Sequence, residues 1–181
     1  MKGKKKLEWI VEGYRKVSEE GVSSLTVESI SRAIQKNKSS FYHYFGDLEV
    51  FESELLAYHL ERTRAFAQEV GACETILPGL IKVFLAYKTD IFFHQQLRFN
   101  RENPTYKVCF EQVFRMFEEA VMDTWIQFLG LEQKKGLART FLHFISENFL
   151  LKITQETFTE DWLKAYIEEV VTLLQRMNYT T

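Results

Sequence analysis

Residues 38–44 carry a close group of side chains that can donate hydrogen bonds to oxygen or nitrogen acceptors. The group comprises Lys38, Ser39, Ser40, Tyr42, His43 and Tyr44. Phe41 and Phe45 stand four residues apart, so a helix here would have one apolar side and one side of donors. A helix that begins with small polar residues can approach phosphate oxygens and base edges closely. The segment therefore predicts contact with a nucleic-acid duplex.

The charge of the chain is unevenly distributed. The whole sequence has a net charge of −2, but residues 1–46 hold nine lysines and arginines against five glutamates, a net charge of +4. Residues 47–181 consequently carry −6. A basic head on an acidic body concentrates the attraction for phosphate in the head.

Short helices must position these donors. An amphipathic first helix is expected from the apolar positions Leu7, Ile10, Val11, Tyr14 and Val17, and Gly21 ends it. Thr26 is the expected N-cap of a second short helix. A polar turn, 35–37, follows, and its last residue, Asn37, is the N-cap of a third helix from Lys38 to Tyr44. Three short helices within about 40 residues, with a tight turn before the last, are typical of a helix-turn-helix.

The remainder of the chain also has helical periodicity. Asp47 caps a long helix that runs to about Gly71, and another helix contains Pro78 in its first turn. A short helix with a loop is expected over 90–101, a helix from Asn103-Pro104 towards Gly130, and two more near 132–154 and 159–178. No period-2 strand pattern is found. The predicted fold is all-α: a three-helix head, residues 1–46, followed by a long-helix bundle body, residues 47–181.

The stretch Leu25–Phe45, Leu-Thr-Val-Glu-Ser-Ile-Ser-Arg-Ala-Ile-Gln-Lys-Asn-Lys-Ser-Ser-Phe-Tyr-His-Tyr-Phe, resembles the signature of the TetR family of bacterial transcription regulators. Thr26-Val27 matches the opening of the second helix in that signature. Ser39-Ser40 and the aromatic block 41–45 match its recognition helix. The resemblance covers residues 7–56, and beyond them only the length and the long helices are similar.

The resemblance implies a homodimer that binds a palindromic double-stranded DNA operator. A cytoplasmic location is expected separately, from the lack of a membrane-span pattern and of a secretory-signal pattern. A small apolar or amphipathic effector in the body would release the DNA, so that the chain would act as a repressor. Base contacts would come from Lys38, Ser39, Ser40 and His43, and phosphate contacts from Thr26, Tyr42 and Tyr44. Lys36 is a further candidate on the DNA side.

Three features depart from the family pattern. The usual turn, Gly-Val-Ser, is Gln35-Lys36-Asn37 here, Leu48 replaces a basic residue, and Glu28 brings a negative charge towards the phosphates. The altered turn and Leu48 favour an alternative function, a helical protein-interaction module that keeps the helix-turn-helix fold without reading a defined operator.

The body is rich in aromatic residues, which either fill the space between helices or line an effector pocket. The candidate ligand contacts are Asp90, His94, Arg98, Phe114, Trp125 and Asn148. The last two helices have apolar stripes wide enough for two partners, which predicts a homodimer through them. The alternative is a monomer in which loops and the fifth helix cover the stripe.

Sequence patterns for other chemistry are missing. No nucleophile motif, phosphate-binding loop or metal-ligand spacing occurs, so we expect neither an enzyme nor a metal or cofactor site. Cys73 and Cys109 are expected to be reduced thiols. No apolar run is long enough for a membrane span, and the basic N-terminus lacks the apolar stretch of a secretory signal.

Overall fold

The computed structural model describes residues 2–178, except for the side chains of 2, 174, 175, 177 and 178; Leu174, expected in the apolar stripe of the last helix, falls among these exceptions. The helices are α1 Lys2–Glu20, α2 Val27–Ala33, α3 Lys38–Phe45, α4 Leu48–Gly71, α5 Ile81–Ala86, α6 Lys88–Phe99, α7 Pro104–Leu129, α8 Lys135–Lys152 and α9 Glu160–Asn178. A 3-10 turn, Val22–Ser24, precedes α2, and a π-helical segment, Ile76–Leu80, precedes α5. Residues 2–178 contain no strand, so the all-α prediction is confirmed.

Contacts divide the chain into two compact units. Unit 1 is Met1–Ala65 with Thr89–Phe114, and unit 2 is Phe66–Lys88 with Arg115–Thr181. Unit 1 therefore groups α1–α3 with most of α4, with α6 and with the start of α7. The expected boundary after residue 46, which would separate a DNA-binding domain from a sensing domain, remains a prediction.

The core of unit 1 is built around aromatic rings of α1, α3 and α4. Trp9 is fully buried and meets Phe41 edge-on, with ring centroids 5.5 Å apart. Gly13 allows α1 and α4 to approach closely, because a Cβ atom at this position would lie 2.6 Å from Cζ of Phe51. The buried face of α1 is thus centred on Trp9 and Gly13. The expectation that Leu7 and Val11 are buried is wrong, since each is about half exposed.

Unit 2 has an aromatic core of its own. The Phe149 ring lies 5.6 Å from Phe84 and 5.6 Å from Tyr166, measured between centroids. Trp125 is buried and its indole N–H donates to the carbonyl oxygen of Ala138 at 3.0 Å, which links α7 to α8. These rings fill space between helices of unit 2, and an effector pocket stays a prediction.

Helix boundaries differ from expectation in two places. Pro78 lies in the π-helical segment before α5 and not in the first turn of that helix, and α8 begins at Lys135 instead of near Glu132. The short helix and loop expected over 90–101 are found, as α6 and the turn that follows it. Residues 131–134 form a turn in which the Lys134 N–H bonds to the Leu131 carbonyl at 2.9 Å. No helix of the described residues is long and apolar enough to cross a membrane.

Candidate nucleic-acid interface

The start of α2 is held by a reciprocal cap. Thr26 is extended and its Oγ1 accepts a hydrogen bond from the backbone N–H of Ser29 at 3.1 Å. Ser29 Oγ accepts in return from the backbone N–H of Thr26 at 3.4 Å. The expected N-cap role of Thr26 is confirmed. The cap leaves the exposed Thr26 at the positive end of a helix dipole, where anions are stabilised.

The start of α3 is capped by Asn37, also as expected. Its Oδ1 accepts from the backbone N–H of Ser40 at 2.9 Å and from the Ser40 hydroxyl at 2.8 Å. Two residues earlier, Gln35 has φ 54°, which is the left-handed region that glycine adopts without strain. Gln35 therefore holds a backbone conformation for which a residue with a Cβ atom is less suited than glycine.

The two sides of α3 differ sharply in burial. Phe41 is 0% and Phe45 4% exposed, and both rings pack on Phe51, which confirms the prediction that these two residues anchor the helix. Of the remaining side chains, Tyr42 is 52% exposed. Lys38, Ser39 and His43 are also exposed, and Ser40 and Tyr44 are half-buried. The helix therefore presents donors on its exposed side and packs on its core through buried aromatic rings.

Both lysines proposed for this surface are engaged in ion pairs. Lys38 bonds to Glu28 in the first turn of α2, and Lys36 bonds to Glu8 of α1. The hydrogen bond from Lys38 lowers the pKa of Glu28, and the bond from Lys36 lowers the pKa of Glu8. These pairs are solvated, so they are weak and open readily when another anion competes.

The six candidate ligand contacts do not line one described pocket. Asp90, His94, Arg98 and Phe114 belong to unit 1, and Trp125 and Asn148 belong to unit 2. The indole N–H of Trp125 is already bonded within its own unit, as described above. Arg98 and Phe114 are half-buried.

Asp90 is the centre of a buried polar network in unit 1. Arg62 of α4 donates to its two carboxylate oxygens at 2.8 and 2.7 Å. The hydroxyl of Tyr14 on α1 donates to Asp90 Oδ1 at 2.9 Å and also lies 2.6 Å from Nδ1 of His59. The bond to Asp90 raises the pKa of Arg62. Burial raises the pKa of Tyr14 and lowers that of His59 to about 3, so the network contains one neutralised ion pair and two neutral groups at pH 7.

Sequence reasoning found Asp90 but missed its partners. His59 follows Phe51 and Leu55 at helical spacing, which places it on the buried face of α4. That spacing was the available signal, because a polar residue on a buried face needs a partner. Among the described residues, no group of three or more His, Cys, Asp and Glu side chains is placed to hold a metal.

In unit 2, α8 and α9 border an apolar groove of about 450 Å³. Asn148 is the one ligand candidate that lines it, and its Oδ1 accepts from the Tyr166 hydroxyl at 3.3 Å. One side of α8 repeats at alternating steps of four and three residues, through Leu137, Phe141, Phe144, Asn148 and Leu151. We call this set the α8 stripe. Its member Phe144 is 73% exposed.

No protein-family model matches the sequence, and no curated protein matches it either.

Proposed function

We propose that the chain is a cytoplasmic DNA-binding transcription regulator, a homodimeric repressor that leaves a palindromic operator when a small apolar or amphipathic effector binds. The observation that carries the proposal is the division of α3 into a buried aromatic side and an exposed side of donors. The sequence resemblance to TetR regulators over residues 7–56 supports the same conclusion.

On this proposal α3 is the recognition helix. Its first turn, which contains Lys38, Ser39 and Ser40, faces base edges together with His43. Phosphate oxygens are bound by Tyr42 and Tyr44, by the capped end of α2 at Thr26 and by Lys36. On binding, the ion pair of Lys36 with Glu8 exchanges for a phosphate contact, and that of Lys38 with Glu28 exchanges for a base contact.

A dimer is needed because one short helix reads too few bases to select an operator. Two recognition helices about 34–36 Å apart enter successive major grooves on one face of DNA. The α8 stripe supports self-association, since its steps of four and three residues are those of helices that pack in pairs. Asn148 is its polar member, and a polar residue among apolar positions selects one alignment of the two helices.

The effector acts by preferring one conformation of the dimer. A ligand with higher affinity for a form whose recognition helices have the wrong spacing shifts the population away from the DNA-bound form. The size of the shift is limited by the ratio of its affinities for the two forms.

The experiment is a titration of the full-length chain with the DNA upstream of its own gene at several salt concentrations. Binding should weaken steeply with salt, because lysine–phosphate contacts release counterions. Changing Lys38, Tyr42 and His43 together to Ala should abolish specific binding. A control variant, Lys135→Ala with His143→Ala, removes a lysine and a histidine from α8 and should bind normally. Full affinity in the triple variant would disprove the proposal.

A helical protein-interaction module is the second candidate. It is favoured by the pairing of both lysines with glutamates, which reduces the positive charge that α3 offers to DNA. On this alternative, affinity would be equal for random duplexes and for the upstream region, and a protein partner would be recovered with the intact chain. A clear preference for one duplex would exclude it.

A further inference from the structure

Two histidines on neighbouring helices of unit 1 each have a buried ring nitrogen without a hydrogen bond. The atoms are Nε2 of His59 on α4 and Nδ1 of His94 on α6, and the two ring centroids are 5.8 Å apart. His59 is 1% exposed; His94 is partly exposed as a residue, although its Nδ1 is covered. Buried polar atoms nearly always have a partner, so two such atoms in one place need an explanation.

The hydrogen bonds of Tyr14 determine which nitrogen of His59 carries a proton. The Tyr14 hydroxyl donates its single hydrogen to Asp90, so its oxygen accepts from Nδ1–H of His59. The lone pair of His59 is then on Nε2, the atom without a partner. Histidines that bind metals commonly have this arrangement, in which the second ring nitrogen donates to an oriented oxygen.

We propose that His59 Nε2 and His94 Nδ1 form a binding site for a monovalent d¹⁰ metal ion of the Cu⁺ class. With metal–nitrogen bonds of about 2 Å, an ion shared by two imidazoles places the ring centroids about 5–6.5 Å apart, depending on the bond angle. The observed separation of 5.8 Å lies within that range. Imidazole nitrogen is a suitable ligand for copper, and Cu⁺ accepts two ligands without water.

The surroundings favour a single positive charge over a double one. Phe93 lies 4.7 Å from the His59 ring, and Phe110 stacks on the His94 ring at 4.4 Å, measured between centroids. Asp90, which shares the Tyr14 hydroxyl with His59, is already neutralised by Arg62. Burying a divalent ion without a compensating negative charge is strongly unfavourable.

The sequence could not indicate this pair, because the two histidines are 35 positions apart and come together only when α4 and α6 pack. The site is independent of the proposed DNA binding. A water molecule bridging the two nitrogens is the competing explanation, and the experiment distinguishes the two.

The test uses Ag⁺, a redox-inert probe with the same preference, and the full-length chain with Cys73→Ser and Cys109→Ala so that thiols do not compete. Imidazole ¹H–¹⁵N spectra are recorded at one equivalent of Ag⁺. We expect the Nε2 resonance of His59 and the Nδ1 resonance of His94 to shift, while those of His43 and His143 stay in place. His94→Asn should lower the Ag⁺ affinity at least tenfold, and His143→Asn should leave it unchanged.

The same spectra are also recorded for the unsubstituted chain at three equivalents of Ag⁺, one for each thiol and one for the histidine pair. This sample tests the site even if the cysteine variants do not fold. Unshifted resonances of His59 and His94 in both samples would overturn the metal site and favour bridging water. Equal Ag⁺ affinity in the His94→Asn and His143→Asn variants would overturn it as well.

Discussion

Lys38 and Glu28 form an ion pair that joins the first residue of α3 to the first turn of α2. Both side chains are more than half exposed. The bond from Lys38 lowers the pKa of Glu28, which is therefore ionised at neutral pH. A negative charge consequently lies beside the donors that we propose for DNA.

Replacing this charge should strengthen DNA binding. In Glu28→Gln the amide no longer repels phosphate and no longer holds the Lys38 ammonium group. We expect the affinity to rise about threefold to tenfold at low salt, and the salt dependence to steepen by about one released ion. Fluorescence anisotropy over a range of KCl concentrations measures both quantities.

The matched control is Glu61→Gln, which removes a similarly exposed glutamate paired with Arg64 on α4. This variant should bind DNA as the unsubstituted chain does. Unchanged affinity in Glu28→Gln would show that α2 does not face the duplex.

Glycine at position 35 should stabilise the turn before α3 relative to the glutamine that occupies it. Gln35 is the one non-glycine residue in the described chain with a positive φ. Glycine adopts this conformation without the clash of Cβ, so Gln35→Gly should raise the free energy of unfolding by about 0.5–1 kcal/mol, even though glycine also makes the unfolded chain more flexible. Urea denaturation measures the change.

Two controls isolate the backbone effect at Gln35. Gln35→Ala keeps a Cβ and should give no gain, and Gln133→Gly, at an exposed position with ordinary φ, should be slightly destabilising. A loss of stability in Gln35→Gly comparable to that in Gln133→Gly would contradict the strain at this turn.

A charge in the α8 stripe should dissociate the proposed dimer. Phe144→Glu puts a carboxylate where we expect apolar contact with a second copy, so the dissociation constant should rise about a hundredfold. Val108→Glu adds the same charge at a similarly exposed apolar position of α7 and should remain dimeric. Sedimentation equilibrium measures the masses, and circular dichroism verifies folding. A dimer of unchanged affinity in Phe144→Glu would place the interface elsewhere.

Acid should destabilise the protein well above the pH at which its carboxylates titrate. Burial lowers the pKa of His59 to about 3 and that of His94 well below its usual 6.5. The unfolded chain therefore binds more protons than the folded chain below pH 6.5. The free energy of unfolding should be constant above that pH and fall below it, by up to about 1.4 kcal/mol per pH unit for each histidine.

Urea denaturation at intervals between pH 7.5 and 5 measures this slope. His94→Asn should reduce it by about half, because one of the two buried imidazoles is removed. His143→Asn replaces an exposed histidine and should leave it unchanged. A pH-independent free energy over this interval would mean that neither ring is buried as a neutral group.

Local features of the sequence predicted the caps and the length of α4 well. Thr26 and Asn37 act as caps through hydrogen bonds to residues three positions away, so no distant contact is needed to foresee them. The buried face of α1 was harder to predict, because Leu7 and Val11 have the helical spacing of buried residues although they are exposed. The packing of Trp9 on Phe41, which comes from a different helix, decides which side turns inward.

The candidate site shows the same difference between features set by nearby residues and features set by distant ones. The two faces of α3 follow from residues within eight positions of one another, and they were foreseen. The partners of Asp90 come from α1 and α4, and local spacing does not identify which residues of other helices they are. The same applies to the ion pairs of Lys36 and Lys38, whose glutamates lie 28 and 10 positions away along the chain.

The cap at Asn37 limits what Ser40 can recognise. The single hydroxyl hydrogen of Ser40 is directed at Asn37 Oδ1, so only the oxygen lone pairs face outward. In the proposed DNA complex, Ser40 would accept from the exocyclic amino groups of adenine or cytosine. Donating to guanine or thymine would cost the hydroxyl its bond to Asn37, while the backbone N–H of Ser40 keeps the cap. On the proposed mode of binding we therefore expect a preference for an amino-bearing base opposite Ser40, which Asn37→Asp would retain and Asn37→Gly would relax.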